Sequence, residues 1–508
     1  MSQLFTVKPL HLLTSDVDPH GGPRLARSLG PIQLISLGIG AIIGAGIFST
    51  VGSAAAGGAH HLGAGPALVI SFMLTAVACG FAALCYAEFA AMVPVAGSAY
   101  TYSYATLGEL VAWIIGWDLI IEYAIGNVAV AISWSGYFQE LLRGLGISWP
   151  VWLGIDYRTA YRALAEYQAA GGATVDLAPN VIRHAEAVLN APHIAGIPVL
   201  FNLPAFLIVM GITAVLVRGV RESAGFNTAM VVLKLAIIAF FLGVGVFYVR
   251  PENWTPFAPN GFAGISSAAA IIFFAYIGFD AVSTAAEETR DPQRNMPIGM
   301  IGSLVICTLI YMAVAIVLTG LTPWRQLGTA EPLATAFSSL GMNWAAGIVS
   351  LGAVFATTSV LIVFQMGQPR IFFSMARDGL LPQWAARVHP KYQTPHVTTI
   401  LTGVFVGLLA GLANIDEIVE LTNIGTLFAF VLVAVCILVL RHTNPEAPRP
   451  FRTPLVPIVP LLAIGSCGYL MFMLPWQTWE RFFIWLGIGL IVYFAYGYRH
   501  SKLRTRRG

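Results

Sequence analysis

The sequence predicts an all-α integral membrane protein with twelve transmembrane helices. Of its 508 residues, 57% are hydrophobic and only 10% are charged, whereas an ordinary soluble domain carries about 25% charged residues. Twelve mainly apolar runs of roughly 17 to 25 residues are long enough to cross a bilayer. The net charge of +3 suggests neither a nucleic-acid partner nor a highly charged surface.

The apolar runs define spans 1 to 12 in chain order. They comprise residues 31–52, 66–91, 108–138, 197–217, 226–249, 264–285, 297–320, 344–367, 396–414, 420–441, 454–475 and 481–498. Of the 27 Lys and Arg residues, 19 lie on the side of the N-terminus, 7 lie on the other side, and Lys234 lies within span 5. By the positive-inside rule, this bias predicts that both termini are cytoplasmic.

Span 1 contains four glycines within the stretch G-I-G-A-I-I-G-A-G-I-F, at positions 38, 40, 44 and 46. Glycine costs a helix interior about 1 kcal/mol relative to alanine, so its accumulation needs a reason. One interpretation is close helix packing, since Gly40 and Gly44 have the G-x-x-x-G spacing. The other is a helix broken in mid-membrane, which exposes backbone N–H and C=O groups to a ligand. This stretch alone slightly favours packing.

Span 6, five spans later, contains a second candidate break at Phe274-Ala275-Tyr276-Ile277-Gly278, followed by Asp280. Two sets of five spans with opposite orientation form the inverted repeat of secondary transporters, in which paired broken helices hold the substrate. The pairing therefore shifts the balance toward a break in span 1. The predicted divisions are a cytoplasmic tail (1–29), spans 1 to 4 (30–217), span 5 (218–249), the second repeat (250–442), spans 11 and 12 (443–498) and a basic cytoplasmic tail (499–508).

Three ionisable side chains lie deep within predicted spans. Asp118 and Glu122 of span 3 are four residues apart and share one helix face, and Glu122 lies ~16 Å into the span. Lys234 of span 5 lies ~12 Å deep, where a lone ammonium needs carbonyls, hydroxyls or a carboxylate around it, or else loses its proton. Intramembrane charges are functional candidates by default, and the alternative is a structural role for each.

The longest polar segment, residues 141–198, includes a helix-like piece around 156–170 and is expected to form a small external cap. His60 and His61 follow span 1; they could sense pH, but adjacent histidines in a loop are more often solvated.

After span 8, the basic amphipathic segment 368–384 is expected to lie on the membrane surface. The five cysteines lie in apolar spans with no metal-site spacing.

Four motifs together resemble the cationic amino acid transporter family of the amino acid, polyamine and organocation superfamily. They are G-A-I-I-G-A-G-I-F, G-W-D-L-I-I-E-Y-A-I-G, F-F-A-Y-I-G-F-D-A-V-S-T-A-A-E-E and R-I-F-F-S-M-A-R-D-G-L-L-P. The resemblance implies the leucine-transporter fold with a 5+5 inverted repeat plus two extra helices, as in twelve-span bacterial members. It also implies a permease for L-amino acids in the inner membrane.

The same resemblance implies the substrate site. The carboxylate of the amino acid would meet the N–H groups around Gly44, Ala45 and Gly46, and its ammonium the carbonyls near Ile42, Phe274, Ala275 and Ile277, which agrees with the charges of helix ends. Ala356 would face the substrate side chain. With Glu122 and Asp280 acidic and within reach, arginine, lysine or ornithine is an expected substrate, and small neutral amino acids are the alternative.

Lys234 is expected to replace a coupling ion, against carbonyls near Gly40 to Ile43 and the hydroxyls of Thr357 and Thr358. Glu122 and Asp280 are the expected proton carriers. The expected partners are an L-amino acid, protons, the lipid bilayer and, as an open addition, a small accessory membrane subunit. No cofactor or metal is expected, and the absence of H-E-x-x-H, phosphate-loop and C-x-x-C motifs argues against an enzyme. An exchanger, a channel and an amino acid sensor stay open.

Overall fold

The computed structural model has the predicted all-helical membrane architecture. It describes residues 5–7, 29–58, 60–92, 98–170, 179–219, 224–280, 282–283 and 289–505. Most of the predicted tail 1–29, residues 506–508 of the basic tail, and the start of the predicted span 5 segment at 220–223 lie outside the described residues. Among the described residues, seven helices are long and apolar enough to cross a membrane, one bent pair forms a further span, and four shorter apolar helices account for the others.

The observed spans follow the predicted order. They are Pro31–Ile42 with Gly46–Ala56, Gly65–Met92, Glu109–Gly144, Leu203–Arg218, Ala224–Gly245, Gly261–Tyr276, Pro292–Leu321, Asn343–Arg377, His396–Leu412, Ile415–Thr443, Ile458–Phe472 and Trp476–His500. The prediction of twelve transmembrane segments is confirmed.

Span 8 is longer than predicted and corrects one expectation. Its helix continues to Arg377 through Pro369, so the first ten residues of the segment 368–384 belong to the span and do not lie on the membrane surface. The Gln368 side-chain amide donates to the Ile120 carbonyl at 3.1 Å, and Met375 is fully buried. Packing against span 3 therefore replaces contact with the membrane surface.

The segment between spans 3 and 4 forms a small separate unit, which we call the cap. It contains the helices Tyr157–Ala169 and Pro179–Asn190 and the hairpin His193–Ile194 with Ile197–Pro198. Asp156 caps the first helix by accepting the Thr159 N–H at 2.9 Å. The cap has its own apolar cluster of Ile155, Ala160, Ala187, Val188, Ala191 and Leu200. A helix at 156–170 and a cap in this loop were both predicted. We call this end of the molecule the cap side.

Both ends of the described chain meet at the opposite end, which we call the tail side. The Glu109 N–H at the start of span 3 donates to the Thr6 carbonyl at 3.2 Å, and the Ser501 hydroxyl donates to the Glu109 carboxylate. An even number of spans requires this arrangement, since each span reverses the side on which the chain emerges.

Candidate functional site

Span 1 is broken where its glycines cluster. The helix Pro31–Ile42 ends at Ile43, whose backbone is extended with ψ of 100°, and the second half of the span is bent by 44° relative to the first. The first hydrogen bond of the second half runs from the Phe48 N–H to the Gly44 carbonyl, at 3.3 Å. The first N–H groups of a helix have no partner within it and carry partial positive charge, so this start suits an anion such as a carboxylate.

Span 6 is broken at the predicted cluster. Its α-helix ends at Ile272, one 3₁₀ turn covers Phe273–Tyr276, and Ile277 is extended with ψ of 130°. Gly278 follows with φ of +120°, and a Cβ atom there would lie 2.7 Å from the Ala41 carbonyl oxygen. Only glycine takes this conformation readily, and the predicted second break is confirmed.

The two broken spans touch each other. A Cβ atom on Gly46 would lie 2.2 Å from the Cα of Ala275, so their backbones are in contact at this point. Gly38 is equally tight against the Ser303 hydroxyl of span 7, at 2.3 Å from a built Cβ. Both interpretations of the span 1 glycines therefore hold: the helix is broken at Ile43, and glycines on either side of the break allow close packing.

Side chains from other spans bind the backbone of the breaks. The Tyr311 hydroxyl of span 7 donates to the Ile42 carbonyl at 2.9 Å, and the Tyr137 hydroxyl of span 3 donates to the Phe48 carbonyl. The Asn423 amide of span 10 donates to Ala270 and Ile271 of span 6 at 2.8 and 2.9 Å. Sequence reasoning missed these residues. Their signal was a tyrosine or asparagine inside an apolar span, which needs a partner when buried.

Lys234 lies at the end of the first half of span 1. Its side chain is only 1% exposed, and its Nζ donates to the Gly40 carbonyl at 2.8 Å. The carbonyl end of a helix is partially negative, so an ammonium is favourable there. Among the described residues, no hydrogen bond joins Lys234 to the predicted hydroxyls, and Thr357 and Thr358 donate to carbonyls of their own helix, each at 2.6 Å.

The intramembrane acids form a group of their own between spans 3, 6 and 10. Asp118 is fully buried and Glu122 is 4% exposed. Asp118 packs against span 10, where a Cβ on Gly425 would lie 2.7 Å from its Oδ1. Asp280 and Asp118 both act electrostatically on Glu122. The structure therefore places the predicted proton carriers near each other, whereas the hydrogen bond of Lys234 goes to span 1.

Ala356 lies on a face of span 8 that approaches the break in span 1. It is fully buried, and Val360, one turn later, would meet a Cβ on Gly44 at 3.1 Å. Residues i and i+4 share a helix face, so Ala356 and Val360 point the same way. Both side chains are apolar, so the face of span 8 beside Gly44 is apolar.

A cavity of ≈ 650 Å³ opens below the cap. Its lining residues include Thr50 and Ser53 of span 1, Ile271 of span 6 and Val419 of span 10. It therefore approaches the two breaks from the cap side without including the predicted substrate-binding residues. The lining is also rich in charge, with Arg143, Arg158, Arg162, Arg183, Glu331, Asp416, Glu417 and Glu420 among its residues.

Two broken helices that meet in a membrane, at the end of a cavity, define the class of secondary carriers. A family model described as "Amino acid permease" matches residues 29–494. The chain belongs to this family, within the amino acid, polyamine and organocation superfamily. The predicted resemblance is confirmed, and the relatives are transporters and not enzymes.

Three relatives illustrate the range of named substrates. The chain is 48% identical over 484 residues to the branched-chain amino acid permease BcaP of Bacillus subtilis (strain 168), covering 95% of this chain and 96% of that one. It is 44% identical over 503 residues to the methylthioribose transporter of the same organism, covering 99% and 100%. It is 35% identical over 446 residues to the vacuolar cationic amino acid transporter 4 of Arabidopsis thaliana, covering 87% and 67%.

Proposed function

We propose that the protein is a proton-coupled permease that takes up L-amino acids across the inner membrane of a bacterium, with both termini in the cytoplasm. The observation that carries the proposal is the contact between the two broken spans beside a buried ammonium, Lys234, on the Gly40 carbonyl at 2.8 Å. The relative named as a permease comes from a bacterium, which supports location in the inner membrane. The excess of Lys and Arg in the loops on the side of the N-terminus supports cytoplasmic termini.

The substrate's amino acid backbone would bind between the two breaks. Its carboxylate would accept hydrogen bonds from the N–H groups at Gly44, Ala45 and Gly46, where the second half of span 1 begins. Its ammonium would donate to the carbonyls of Ile42 and of residues 274, 275 and 277 in span 6. The Ile42 carbonyl already accepts the Tyr311 hydroxyl, and its second lone pair leaves room for another donor.

Proton coupling would depend on Lys234 and the acid group. Lys234 supplies a positive charge beside the break without sodium, and Glu122 and Asp280 would deliver or receive the proton. Intramembrane ionisable residues in transporters mark such pathways.

An accessory membrane subunit stays an expectation, and copurification would test it.

An aliphatic side chain is the first candidate for the substrate. Ala356 and Val360 make the side-chain end of the site apolar, and alanine at position 356 leaves room for a side chain larger than a methyl group. This environment suits valine, leucine or isoleucine, in agreement with the relative named as a branched-chain amino acid permease.

A cationic side chain is the second candidate. Glu122 is 4% exposed, and within the described structure its Oε2 has no hydrogen-bond partner. A substrate ammonium or guanidinium could pair with this oxygen, since a buried acceptor without a hydrogen-bond partner is costly. Relatives named as cationic amino acid transporters agree with this candidate.

Counterflow in proteoliposomes tests both the activity and the substrate. Vesicles loaded with one unlabelled compound would be supplied with the same compound in labelled form, in separate assays for leucine, valine, isoleucine, alanine, arginine, lysine, ornithine and methylthioribose. Transient accumulation of the aliphatic amino acids supports the first candidate, and accumulation of arginine, lysine or ornithine alone supports the second. Absence of accumulation for every compound would contradict a carrier, and accumulation of methylthioribose alone would contradict an amino acid site.

A further inference from the structure

His61 is buried, although the sequence favours a solvated loop residue. It is 8% exposed, whereas the adjacent His60 is exposed. Its Nδ1 lies 3.5 Å from Oε1 of Glu420, and its Nε2 lies 3.3 Å from the Ser53 hydroxyl. The expectation of a solvated His61 is wrong because the loop after span 1 folds back over the end of span 10.

The histidine belongs to a continuous chain of polar groups. Glu420 is 2% exposed, and its second oxygen accepts the Thr478 hydroxyl of span 12 at 2.9 Å. On the other side, Ser53 donates to Oδ1 of Asp416 at 2.6 Å. Asp416, Ser53 and Glu420 all line the cavity below the cap. The chain therefore leads from the cavity to the buried imidazole and carboxylate.

This cluster joins the two repeats of the carrier. His61 and Ser53 belong to span 1 and the loop that follows it, in the first repeat, whereas Asp416 and Glu420 belong to span 10, in the second. Alternating access in carriers with inverted repeats is largely a movement of one repeat or bundle against the other. An opening on the cap side that separates span 1 from span 10 must break the contact between His61 and Glu420.

We propose that His61 and Glu420 form a proton-binding site that controls opening on the cap side: a proton held between the imidazole and the carboxylate keeps span 1 against span 10. Water in the cavity supplies and accepts this proton through the Asp416 and Ser53 chain. The inference rests on the proposed transport function, but it does not depend on proton coupling through Lys234.

The charges around His61 set the direction of the effect. Burial by itself lowers the pKa of the imidazole, but pairing of the imidazole N–H with the Glu420 carboxylate and the charge of Asp416 outweigh it, so the pKa of His61 is raised above its usual 6.5. Both carboxylates come from span 10, and the group facing His61 from span 1 is the Ser53 hydroxyl. The closed contact is therefore fully stabilised below pH ~6.5 and is weakened as the pH rises through the raised pKa.

Exchange at equal pH on both sides of the membrane tests the proposal without any proton gradient. Counterflow of labelled substrate would be measured between pH 5 and 9 in proteoliposomes, for the wild type, His61→Gln and His60→Gln. The wild type should exchange slowly at low pH and faster above the transition. His61→Gln should lose this step and exchange at the fast rate throughout, whereas His60→Gln should keep it.

Agreement of His61→Gln with the wild type at pH 9, where the contact is already weakened, shows that the variant is folded. Thr478→Val is a second test variant, in which valine keeps the shape of the threonine side chain. It removes the donor to Glu420, so the carboxylate should hold a protonated His61 more tightly and the midpoint should rise by about one pH unit. An unchanged step in His61→Gln, or its equal loss in His60→Gln, would overturn the proposal. Failure of proton-driven uptake with these pH results intact would contradict only the coupling through Lys234.

Discussion

Gly46 of span 1 and Ala275 of span 6 are in backbone contact: a Cβ atom on Gly46 would lie 2.2 Å from the Ala275 Cα. Gly44 is less constrained, since its built Cβ would meet only the Val360 side chain, at 3.1 Å. A side chain can shift by a few tenths of an ångström, whereas the backbone of a packed helix cannot. The two glycines that flank the start of the second half of span 1 therefore differ in how much substitution they tolerate.

Replacing Gly46 with valine should prevent amino acid binding and lower stability, because the two breaks can no longer meet. Overpacking a tight core costs about 1–3 kcal/mol, and Gly44→Ala should be milder than Gly46→Ala. Binding of labelled substrate to purified protein and thermal unfolding would measure both effects. Gly80→Val in span 2 is the control, since a Cβ there meets nothing within 4 Å. Unchanged affinity in folded Gly46→Val would show that the binding site is elsewhere.

Tyr311→Phe removes the hydroxyl that donates to the Ile42 carbonyl at 2.9 Å. The variant should lose about 1 kcal/mol of stability and bind substrate about fivefold more weakly, because the carbonyl beside the break is less well positioned. Equilibrium binding and thermal unfolding would be compared with Tyr469→Phe, which loses a bond to Ser266 at 2.7 Å away from the break. If the two variants lose affinity equally, Tyr311 has no specific role at the break.

Ala356→Met should weaken binding of large substrates more than binding of alanine or glycine. Methionine would fill the space that alanine leaves, so leucine or arginine would lose more than a small amino acid. Competition against labelled alanine would measure the ratio. Phe355→Met is the matched control, since Phe355 is 49% exposed on the outer face of span 8. Equal losses for all sizes of substrate would remove Ala356 from the pocket.

The breaks in spans 1 and 6 were predictable because their cause is local. Glycines destabilise a helix interior, and they are visible in the sequence. At Gly278 the backbone has φ of +120°, which glycine adopts readily. The contact of Lys234 also falls within the predicted stretch from Gly40 to Ile43, because a buried ammonium needs an acceptor. The order of the spans followed from apolar length, but the end of span 8 at Arg377 did not.

The partners of these elements were not predictable from one sequence. Tyr311 and Ile42 are 269 residues apart, and a tyrosine within an apolar run shows that it needs an acceptor without showing which one. His61 gave the opposite error, because the burial of a loop residue depends on what folds over it. The loop that holds His61 folds onto Glu420, which lies in the other repeat and far away in the sequence.

The last prediction concerns Lys234, whose Nζ lies 2.8 Å from the Gly40 carbonyl oxygen. A gradient with the inside alkaline should drive concentrative uptake without sodium, and Lys234→Ala should abolish it. Lys234→Met keeps the length of the side chain and removes only the charge, so it separates the role of the ammonium from packing. Both variants should lose accumulation. Lys234→Met should still exchange substrate without a gradient, since the protein groups proposed to bind the substrate are backbone N–H and C=O groups.

Accumulation and exchange would be measured on the same proteoliposomes, with labelled leucine and with or without sodium. A strut with a permanent charge is the competing account of Lys234. On that account Lys234→Met would reduce accumulation and exchange to the same extent, because the break itself would lose its support. Sodium-dependent accumulation by the wild type, or proton-driven accumulation that survives in Lys234→Ala, would contradict the coupling role. Loss of accumulation with exchange retained is the result that only coupling explains, since a damaged binding site cannot exchange substrate.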